Sequence, residues 1–424
     1  MKEGLYRQAV RSLAGKSAWT GGAVALRALG AVSVFKLVAV FFGAQGVALF
    51  SHFQNLLAIF TQIPDQGSSL GIVRLFNEGP DANRRSRLVF TALILNLAVY
   101  VIVLTTVIAG SSFFLRHFNE EGLSGIWTIS FAISIFFILI NVLCLAVLYA
   151  RQSFKELFFL TGINIFVLIA AVFAGVHTGS LEMAMIAFAI GHGLSGVANV
   201  VILLFLGAIP ISDLRFDKEL MKKLLQFILM AAGGYLFGKV TDFFVRDFAL
   251  YWFGWEETGL WQAQVRLSDS YRSVFMGTIG MVFYSTISGM VDDKVGLKDY
   301  LRTTFKITTP LLAIGLALVW VFRRPVITLL FSDELSPAAD FIHYQLAADL
   351  FALPSFLLVF VIVAGKKTNT YLLIHMLSAM VYLALIMFVT GLTDMGIAGL
   401  PLANMLRFVF FLGILVFYTR KELF

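Results

Sequence analysis

Eleven ionisable residues lie within long apolar stretches of this chain. Seven are basic and four are acidic: Arg27, Lys36, Lys239, Arg266, Arg272, Lys306 and Arg407, against Asp65, Asp242, Asp269 and Asp349. A charge at the centre of a bilayer costs at least about 2.5–3.5 kcal/mol, so such residues mark a water-filled path or a binding site. The excess of cations predicts an anionic partner from outside the chain. A phosphate group fits, because arginine offers it paired donors and lysine a point charge.

Helical spacing places polar residues of several segments on shared faces. At 100° per residue, two sets each fall within an arc of about 120°. The sets are Ser51, Gln54, Asn55, Gln62, Asp65 and Gln66, and Gln262, Arg266, Asp269 and Arg272. Two closer pairs also share a face, because their members are three or four residues apart: Lys239 with Asp242, and Gln345 with Asp349. We interpret these stripes as the lining of a common interior.

Each of these residues has a second interpretation. Arg–Asp pairs inside a membrane can simply join helices, and Lys239 with Asp242 is the pair to which this applies most. Arg27 and Lys36 are nine residues apart and point to opposite faces of a straight helix. Either Gly30 permits a bend, or Lys36 reaches the membrane interface, as long basic side chains do.

The composition indicates that lipid surrounds most of the chain. Of the 424 residues, 59% are hydrophobic and 13% are charged, whereas a soluble domain is about 45–50% apolar and about 25% charged. This excludes a secreted, cytosolic or nuclear protein. The single cysteine, Cys144, excludes a framework of intrachain disulfides.

Twelve segments meet the requirement of about 20 mostly apolar residues for a membrane-crossing helix. They are 19–42, 47–73, 88–110, 126–150, 157–178, 184–209, 224–245, 258–288, 305–322, 340–365, 370–392 and 397–418. With the N-terminus in the cytoplasm, 21 of the 32 Lys and Arg residues fall in loops on that side and four on the other. Because cytoplasmic loops collect Lys and Arg, both termini are predicted to be cytoplasmic.

The charged segment 212–223 separates two sets of six predicted spans. We therefore predict an all-α polytopic membrane protein with two six-helix lobes, 1–210 and 211–424, around a central cavity. Two like bundles are typical of transporters that work by alternating access.

The sequence lacks the motifs that nucleotide binding, metal binding and acid–base catalysis require. Gly15-Lys16-Ser17 ends like a phosphate-binding loop, but Val10 occupies the position of the earlier glycine. The six histidines have no metal-ligand spacing. The outer loops are short and hold no obvious acid–base pair. We expect no enzyme activity, no catalytic residue, no metal and no cofactor.

Five stretches resemble the Wzx-type polysaccharide flippases, closest to the branch that handles lipid III of enterobacterial common antigen. They are Ala18-Trp-Thr20 with Lys36-Leu-Val-Ala-Val-Phe-Phe-Gly43, Phe227-Ile-Leu-Met230, Trp255-Glu-Glu-Thr-Gly-Leu-Trp-Gln262 with Leu267-Ser-Asp-Ser-Tyr271, Leu330-Phe-Ser332, and Gln345-Leu-Ala-Ala-Asp349. The block from Trp255 to Gln262 is the most specific. These flippases belong to the superfamily of multidrug, oligosaccharidyl-lipid and polysaccharide exporters.

The resemblance implies a twelve-helix protein of the bacterial inner membrane with a V-shaped cavity. It implies transfer of an undecaprenyl-pyrophosphate-linked oligosaccharide, an O-antigen or enterobacterial common antigen unit, from the cytoplasmic to the periplasmic leaflet. Neighbouring polymerase and chain-length proteins are the implied partners, and nucleic acid is not one. On matching positions the resemblance assigns cavity or gate roles to Arg27, Lys36, Arg246, Asp269, Gln345 and Asp349. Arg266 and Arg272 have no counterpart in the family pattern, so the glycan stays open.

Taken together, two groups of site residues are expected. Substrate binding is assigned to Arg27, Lys36, Gln54, Asn55, Gln62, Lys239, Gln262, Gln264, Arg266, Arg272, Gln345 and Arg407. Coupling or gating is assigned to Asp65, Asp242, Arg246, Asp269 and Asp349. In this scheme Gln54, Asn55, Gln62 and Gln264 hydrogen-bond sugar hydroxyls.

Two other functions compete with this one. An ion-coupled multidrug exporter of the same superfamily would need an acidic or apolar cavity, which the cation excess opposes. A membrane-embedded glycan polymerase or ligase would need large periplasmic loops with catalytic groups, which the short outer loops oppose. The sequence leaves open the identity of the oligosaccharide, proton or ion coupling, and the oligomeric state.

Overall fold

The computed structural model describes most of the chain. The backbone is described for residues 2–76, 78, 81–110, 125–276, 279, 281–288, 290, 293–365 and 367–423. Within these ranges, the side chains of 2–18, 62–67, 70, 125–128, 230–236, 281–282, 285, 288, 368 and 422–423 are left out.

Helices account for the regular secondary structure in these described ranges. The α-helices are α1 (Lys2–Phe76), α2 (Ala82–Ala109), α3 (Gly125–Ala150), α4 (Phe154–Val176), α5 (Leu181–Phe205), α6 (Lys218–Phe275), α7 (Met281–Ser288), α8 (Lys294–Val321), α9 (Arg323–Leu330), α10 (Ile342–Ala364), α11 (Thr368–Leu392) and α12 (Gly399–Leu423). Two 3-10 helices are also present: Asp333–Asp340 lies between α9 and α10, and Gly396–Ala398 lies between α11 and α12. The predicted all-helical fold class is confirmed.

The two longest helices are each broken by a glycine. Gly43 in α1 has φ 59° and ψ −154°, and Gly254 in α6 has φ 74° and ψ 179°. Only glycine adopts such angles readily, because it has no Cβ. The breaks fall in the gaps between predicted spans 1 and 2 and between predicted spans 7 and 8. At Gly30, where the sequence allowed a bend, the φ/ψ angles of α1 stay helical.

Nine helical segments in the described part of the chain are long and apolar enough to cross a membrane. They are Trp19–Thr61, Ala82–Ala109, Ile129–Ala150, Phe154–Val176, Leu181–Phe205, Lys294–Val321, Ile342–Ala364, Asn369–Leu392 and Gly396–Lys421. The first has 43 residues, about twice the length that one crossing needs, and it contains the break at Gly43. The chain is thus a multi-pass membrane protein, while the number twelve and the cytoplasmic termini stay predictions.

The chain divides into two compact units, and α1 and α6 contribute to both. Unit 1 comprises Met1–Gly30 and Phe53–Leu236, and unit 2 comprises Ala31–His52 and Phe237–Phe424. The predicted division into lobes 1–210 and 211–424 stays a prediction.

Unit 1 is built around α3 and α5. A Cβ on Gly196 would lie 2.5 Å from the carbonyl oxygen of Phe137, so glycine is what lets these two helices approach closely. Asn199 donates a 2.6 Å hydrogen bond to Asn141 across the same contact. Small residues and side-chain amides of this kind commonly join helices inside membranes.

Unit 2 is built around α10, α11 and α12. Its largest apolar cluster includes Leu357 and Ile362 of α10 together with Phe408 and Phe411 of α12. The segment of α1 that follows Gly43 packs against α6 so closely that a Cβ on Gly259 would lie 1.9 Å from the Ala44 carbonyl oxygen. This contact places the segment after the break directly beside the most specific sequence block.

Candidate functional site

Asp349 of α10 is the most enclosed charge that unit 2 carries among its described residues. Its side chain is 0% exposed. Ser268 donates a 2.6 Å hydrogen bond to Oδ2, and the Tyr271 hydroxyl donates to the same oxygen. Gln345 Nε2 lies 3.4 Å from Oδ2 and 3.5 Å from Oδ1. A carboxylate buried this deeply is stable only when donors surround it, and here α6 and α10 supply them.

Arg272 provides the positive charge that faces Asp349. Its Nη1 lies 3.7 Å from Asp349 Oδ1. The guanidinium also lies over two rings, 5.0 Å from the centre of Phe356 and 6.0 Å from that of Phe408. Stacking on aromatic faces fixes a guanidinium in place and adds cation–π attraction. Arg272 therefore has a carboxylate partner within unit 2.

Arg266 of α6 contacts the segment of α1 on both sides of Gly43. Its Nη2 donates a 3.2 Å hydrogen bond to the carbonyl of Ser51, and its guanidinium lies 4.5 Å from the Phe35 ring centre. Its Nη1 lies 4.0 Å from Oδ2 of Asp269, three residues later on the same helix. The Asp269 side chain is 49% exposed, so this ion pair is loose.

Arg246 and Asp242 lie on the same stretch of α6. Arg246 is buried, and its Nη1 has no hydrogen-bond partner among the described residues. Asp242 pairs with Lys239 at 3.6 Å. The sequence-based spans ended just before Arg246, whereas α6 continues past it as helix to the break at Gly254.

Arg407 of α12 completes the set of arginines. Its Nε donates a 2.9 Å hydrogen bond to the Ser378 hydroxyl of α11. The guanidinium lies 4.8 Å from the ring centre of Tyr382 and 5.1 Å from that of Phe408. Arg407 and Arg272 thus share the Phe408 ring.

These charges form one electrostatic group, which we call the cationic cluster. Its members are Lys239, Asp242, Arg246, Arg266, Asp269, Arg272, Asp349 and Arg407. Asp242 attracts all four arginines, and Asp269 attracts three of them. Five cations face three carboxylates, so the cluster keeps an excess of two positive charges. An excess of positive charge buried among the helices of a membrane protein favours binding of an anion.

The amide side chains of unit 2 that were predicted to bind substrate are buried. Gln262 is 0% exposed, and both its amide atoms lack a hydrogen-bond partner among the described residues. Gln264 donates a 2.7 Å hydrogen bond to the Ala338 carbonyl of the 3-10 helix Asp333–Asp340. Gln345 supports Asp349 and Ser268. Gln264 and Gln345 therefore hold helices and charges in position in this structure.

The predicted site residues of α1 are divided between the two units. Arg27 is exposed and belongs to unit 1. Lys36, in unit 2, donates to the carbonyl of Leu329 at the end of α9, a favourable place for a cation because it is the negative end of a helix dipole. In unit 1, Asn55 is buried and Gln54 half-buried. The side chains of Gln62 and Asp65 lie outside the described residues.

Three residues of the site were not predicted. Ser268 and Tyr271 contact Asp349. The available signal was that Ser268 precedes Tyr271 by three residues and Arg272 by four, because residues at these spacings share a helix face. Glu334 accepts a 3.0 Å hydrogen bond from the Ala44 N–H directly after the break at Gly43. No pattern in the sequence links Glu334 to Ala44, which is 290 residues away.

Comparisons with solved structures show the fold. An inward-facing structure of a multidrug resistance MATE family transporter of the MOP superfamily aligns with a TM-score of 0.72 at 14% identity, covering 96% of this chain and 94% of that chain. A MOP superfamily transporter from Pyrococcus furiosus aligns with a TM-score of 0.73 at 13% identity, over 96% of this chain and 94% of that chain.

Comparisons of sequence show the family. The Lipid III flippases of Escherichia coli (strain K12) and Shigella flexneri are each 23% identical to this chain over 372 residues, which are 85% of this chain and 88% of theirs. These matches confirm the resemblance to polysaccharide flippases. The model of the family described as polysaccharide biosynthesis protein matches residues 36–340, a range that includes most of the cationic cluster and the Trp255–Gln262 block, and the chain belongs to that family.

Proposed function

We propose that this chain is a flippase of lipid-linked oligosaccharides in the bacterial inner membrane. It carries an undecaprenyl-pyrophosphate-linked oligosaccharide from the cytoplasmic to the periplasmic leaflet by alternating access. The observation that carries this proposal is the excess of two positive charges in the cationic cluster. A diphosphate diester has one negative charge on each phosphate and would neutralise that excess.

The geometry of the cluster supports different roles for its arginines. Arg272 is fixed between Asp349 and two aromatic rings, so it contributes a stationary positive charge. Arg266 lies over the Phe35 ring and donates to the carbonyl and the hydroxyl of Ser51, while its ion pair with Asp269 is loose at 4.0 Å. The Nη1 group that faces Asp269 is therefore the donor that Arg266 can offer to a phosphate. In this proposal Arg266 is the main phosphate ligand, and Asp269 is the carboxylate that a phosphate would replace.

The comparisons support the same function. The curated relatives are named Lipid III flippase, and the family is described by polysaccharide biosynthesis. Relatives that are flippases and transporters agree with the expectation that the chain is not an enzyme. A substrate linked to undecaprenyl pyrophosphate, and cooperation with a polysaccharide polymerase and a chain-length protein, are part of the proposal.

The multidrug exporter differs from this proposal in the charge of its site. The solved multidrug transporters share the fold at 14% identity, and fold alone does not fix what is carried. A site for cationic drugs requires negative or neutral surroundings, because like charges repel. The cationic cluster has the opposite sign, which favours the anionic glycolipid.

Complementation tests the proposal. A strain with this gene deleted is complemented with the wild-type gene, with Arg266→Gln, or with the matched control Arg324→Gln. Arg324 is an exposed arginine of α9 paired with Asp340 at 3.1 Å and lies outside the cluster. Surface polysaccharide and accumulated undecaprenyl-pyrophosphate-linked oligosaccharide are measured, with membrane levels of each variant.

The proposal predicts a specific pattern. The deletion strain accumulates the lipid-linked precursor and loses surface polysaccharide, and wild type and Arg324→Gln restore both. Arg266→Gln reaches the membrane at normal levels without restoring export. Full export by the deletion strain, or drug resistance conferred on a pump-deleted strain without any effect on polysaccharide, would overturn the proposal.

A further inference from the structure

A groove in unit 2 lies outside the cationic cluster. Its volume is about 900 Å³, within the range of about 300–1,000 Å³ that is common for ligand sites. Helices α8, α10 and α12 form its walls, mostly with apolar side chains such as Phe305, Leu350, Phe351 and Leu412. None of these residues belongs to the predicted substrate or gating sets.

One end of the groove is basic. Lys298 and Arg302 of α8 and Arg420 of α12 line it. All three are among the basic residues that the charge distribution assigns to the cytoplasmic side. Thr419 also lines the groove; it is 8% exposed, and its Oγ1 has no hydrogen-bond partner among the described residues. Three cations, and a hydroxyl with no partner in the described part of the chain, thus line the groove near the beginning of α8 and the end of α12.

The dimensions of the groove match one leaflet. Along α8 it extends from Lys298 to Ala313, which at 1.5 Å per residue is about 22 Å. One leaflet, with its head groups, is about 20–22 Å thick, half of the whole bilayer. A ligand whose anionic head lies at Lys298 would therefore place its apolar chain alongside Ala313 near the bilayer midplane.

We propose that this groove binds an anionic glycerophospholipid of the cytoplasmic leaflet. Its phosphate lies between Lys298, Arg302 and Arg420 and accepts a hydrogen bond from Thr419. One of its acyl chains fills the space between α8, α10 and α12. Basic pockets between membrane helices on the cytoplasmic side bind anionic lipid head groups for this reason. The groove is as deep as one leaflet, which fits an acyl chain better than the much longer undecaprenyl chain.

The site is independent of the transported substrate, so its test does not require transport. Purified full-length protein is titrated in detergent with phosphatidylglycerol or with phosphatidylcholine, and bound lipid is counted by native mass spectrometry. The charge variant is Lys298→Gln/Arg302→Gln/Arg420→Gln. The matched control is Lys294→Gln/Lys421→Gln/Lys222→Gln, which removes the same charge from three exposed lysines outside the groove.

The expected result is preferential binding of phosphatidylglycerol, weakened on the order of a hundredfold in the charge variant and unchanged in the control. Each basic residue near a membrane surface contributes about a fivefold gain in affinity for anionic lipid. A second variant, Ala313→Phe, keeps the charges, fills the apolar end, and is also expected to lower binding.

Three results would overturn the proposal. Equal binding of phosphatidylcholine and phosphatidylglycerol would remove the role of the charge. Unchanged binding in the charge variant would place the lipid elsewhere. Displacement of phosphatidylglycerol by equimolar undecaprenyl pyrophosphate, with tighter binding of the latter, would assign the groove to the transported lipid. Melting temperatures confirm that each variant is folded.

Discussion

Glu334 caps the segment of α1 that begins after the break at Gly43. Its Oε1 accepts a 3.0 Å hydrogen bond from the Ala44 N–H, the first N–H after the residue with φ 59°. A carboxylate at this position pairs with the positive end of the helix dipole. Lys36 of α1 donates to the carbonyl of Leu329 at the end of α9. Within unit 2, α1 is thus joined to α9 and the 3-10 helix that follows it by two contacts, each between a charged side chain and a backbone group.

Gly43→Ala is expected to destabilise the protein by about 1–4 kcal/mol. An alanine at φ 59° and ψ −154° is strained by about 1–3 kcal/mol, and its Cβ would lie 2.3 Å from both carboxylate oxygens of Glu334. Glu334 must then leave the Ala44 N–H, which removes a helix-end interaction worth about 0.3–1 kcal/mol. Thermal unfolding in detergent, followed by tryptophan fluorescence, measures the change.

Two further variants separate the strain from the cap. Glu334→Gln removes only the charge and is expected to cost about 0.3–1 kcal/mol. Gly413→Ala is the control, because its Cβ would meet nothing within 4 Å, and alanine in a helix is favoured over glycine by up to about 1 kcal/mol. Equal melting temperatures for Gly43→Ala and wild type would contradict the strain argument.

Hydropathy predicted the helices of this fold correctly where a single predicted span forms a single helix. The predicted span 157–178 corresponds to α4 (Phe154–Val176), and 370–392 corresponds to α11 (Thr368–Leu392). It could not predict that the paired spans of α1 and α6 continue as helix up to single glycines, because apolar content does not report backbone angles. Gly43 and Gly254 lie in the predicted gaps, but their positive φ values come from the structure.

Helical spacing predicted which polar residues share a face, but not what they contact. Asp349 and Gln345 lie on one face of α10, as predicted, and Gln345 donates to Asp349. The other partners of Asp349 are on α6, with Ser268 81 residues away. Contacts between helices depend on packing, which the period of one helix does not encode. For the same reason Gln264 was predicted from the sequence to bind sugar, whereas in the structure its side chain donates a hydrogen bond to the Ala338 carbonyl.

Gly259→Ala is expected to destabilise unit 2 by about 1–3 kcal/mol or more, as overpacking does. The new Cβ would lie 1.9 Å from the Ala44 carbonyl oxygen and 2.5 Å from its carbon. Both are backbone atoms, so the contact cannot be relieved by rotating a side chain. Gly315→Ala in α8 makes the same chemical change where a Cβ meets nothing within 4 Å. A melting temperature for Gly259→Ala as high as that of Gly315→Ala would show that the two helices separate freely.

Asp349→Asn is expected to destabilise the protein by about 3–5 kcal/mol, because it leaves Arg272 without its buried partner. Replacing both charges, as Arg272→Met/Asp349→Leu, is expected to recover most of that stability, since well-packed apolar residues can substitute for a buried pair. Export is not expected to recover, because the double variant lacks the arginine. Melting temperature and surface polysaccharide are measured together.

Asp340→Asn is the matched control for this pair. Asp340 contacts Arg324 at 3.1 Å, but both side chains are largely exposed, at 60% and 65%. An exposed ion pair contributes about 0–1 kcal/mol, so melting temperature and export should stay near those of wild type. A loss of stability in Asp340→Asn as large as in Asp349→Asn would show that burial is not what makes the Asp349 pair important.

Arg266→Ala and Arg27→Ala are each expected to lower glycan export by about 10- to 100-fold without loss of folding. A hydrogen bond to a charged group contributes about 1.5–3 kcal/mol, and each 1.4 kcal/mol is a factor of ten. Arg27 is exposed in unit 1 and Arg266 half-buried in unit 2, so neither substitution opens a core.

A conservative variant sharpens the test at Arg266. Arg266→Lys keeps the charge but loses the paired donors and is expected to retain part of the export. Radiolabelled polysaccharide is quantified at the surface and the lipid-linked precursor in the membrane, each normalised to the level of the variant protein. Wild-type export by Arg266→Ala would remove the role of Arg266 in binding the diphosphate, and wild-type export by Arg27→Ala would show that Arg27 is not needed for transport.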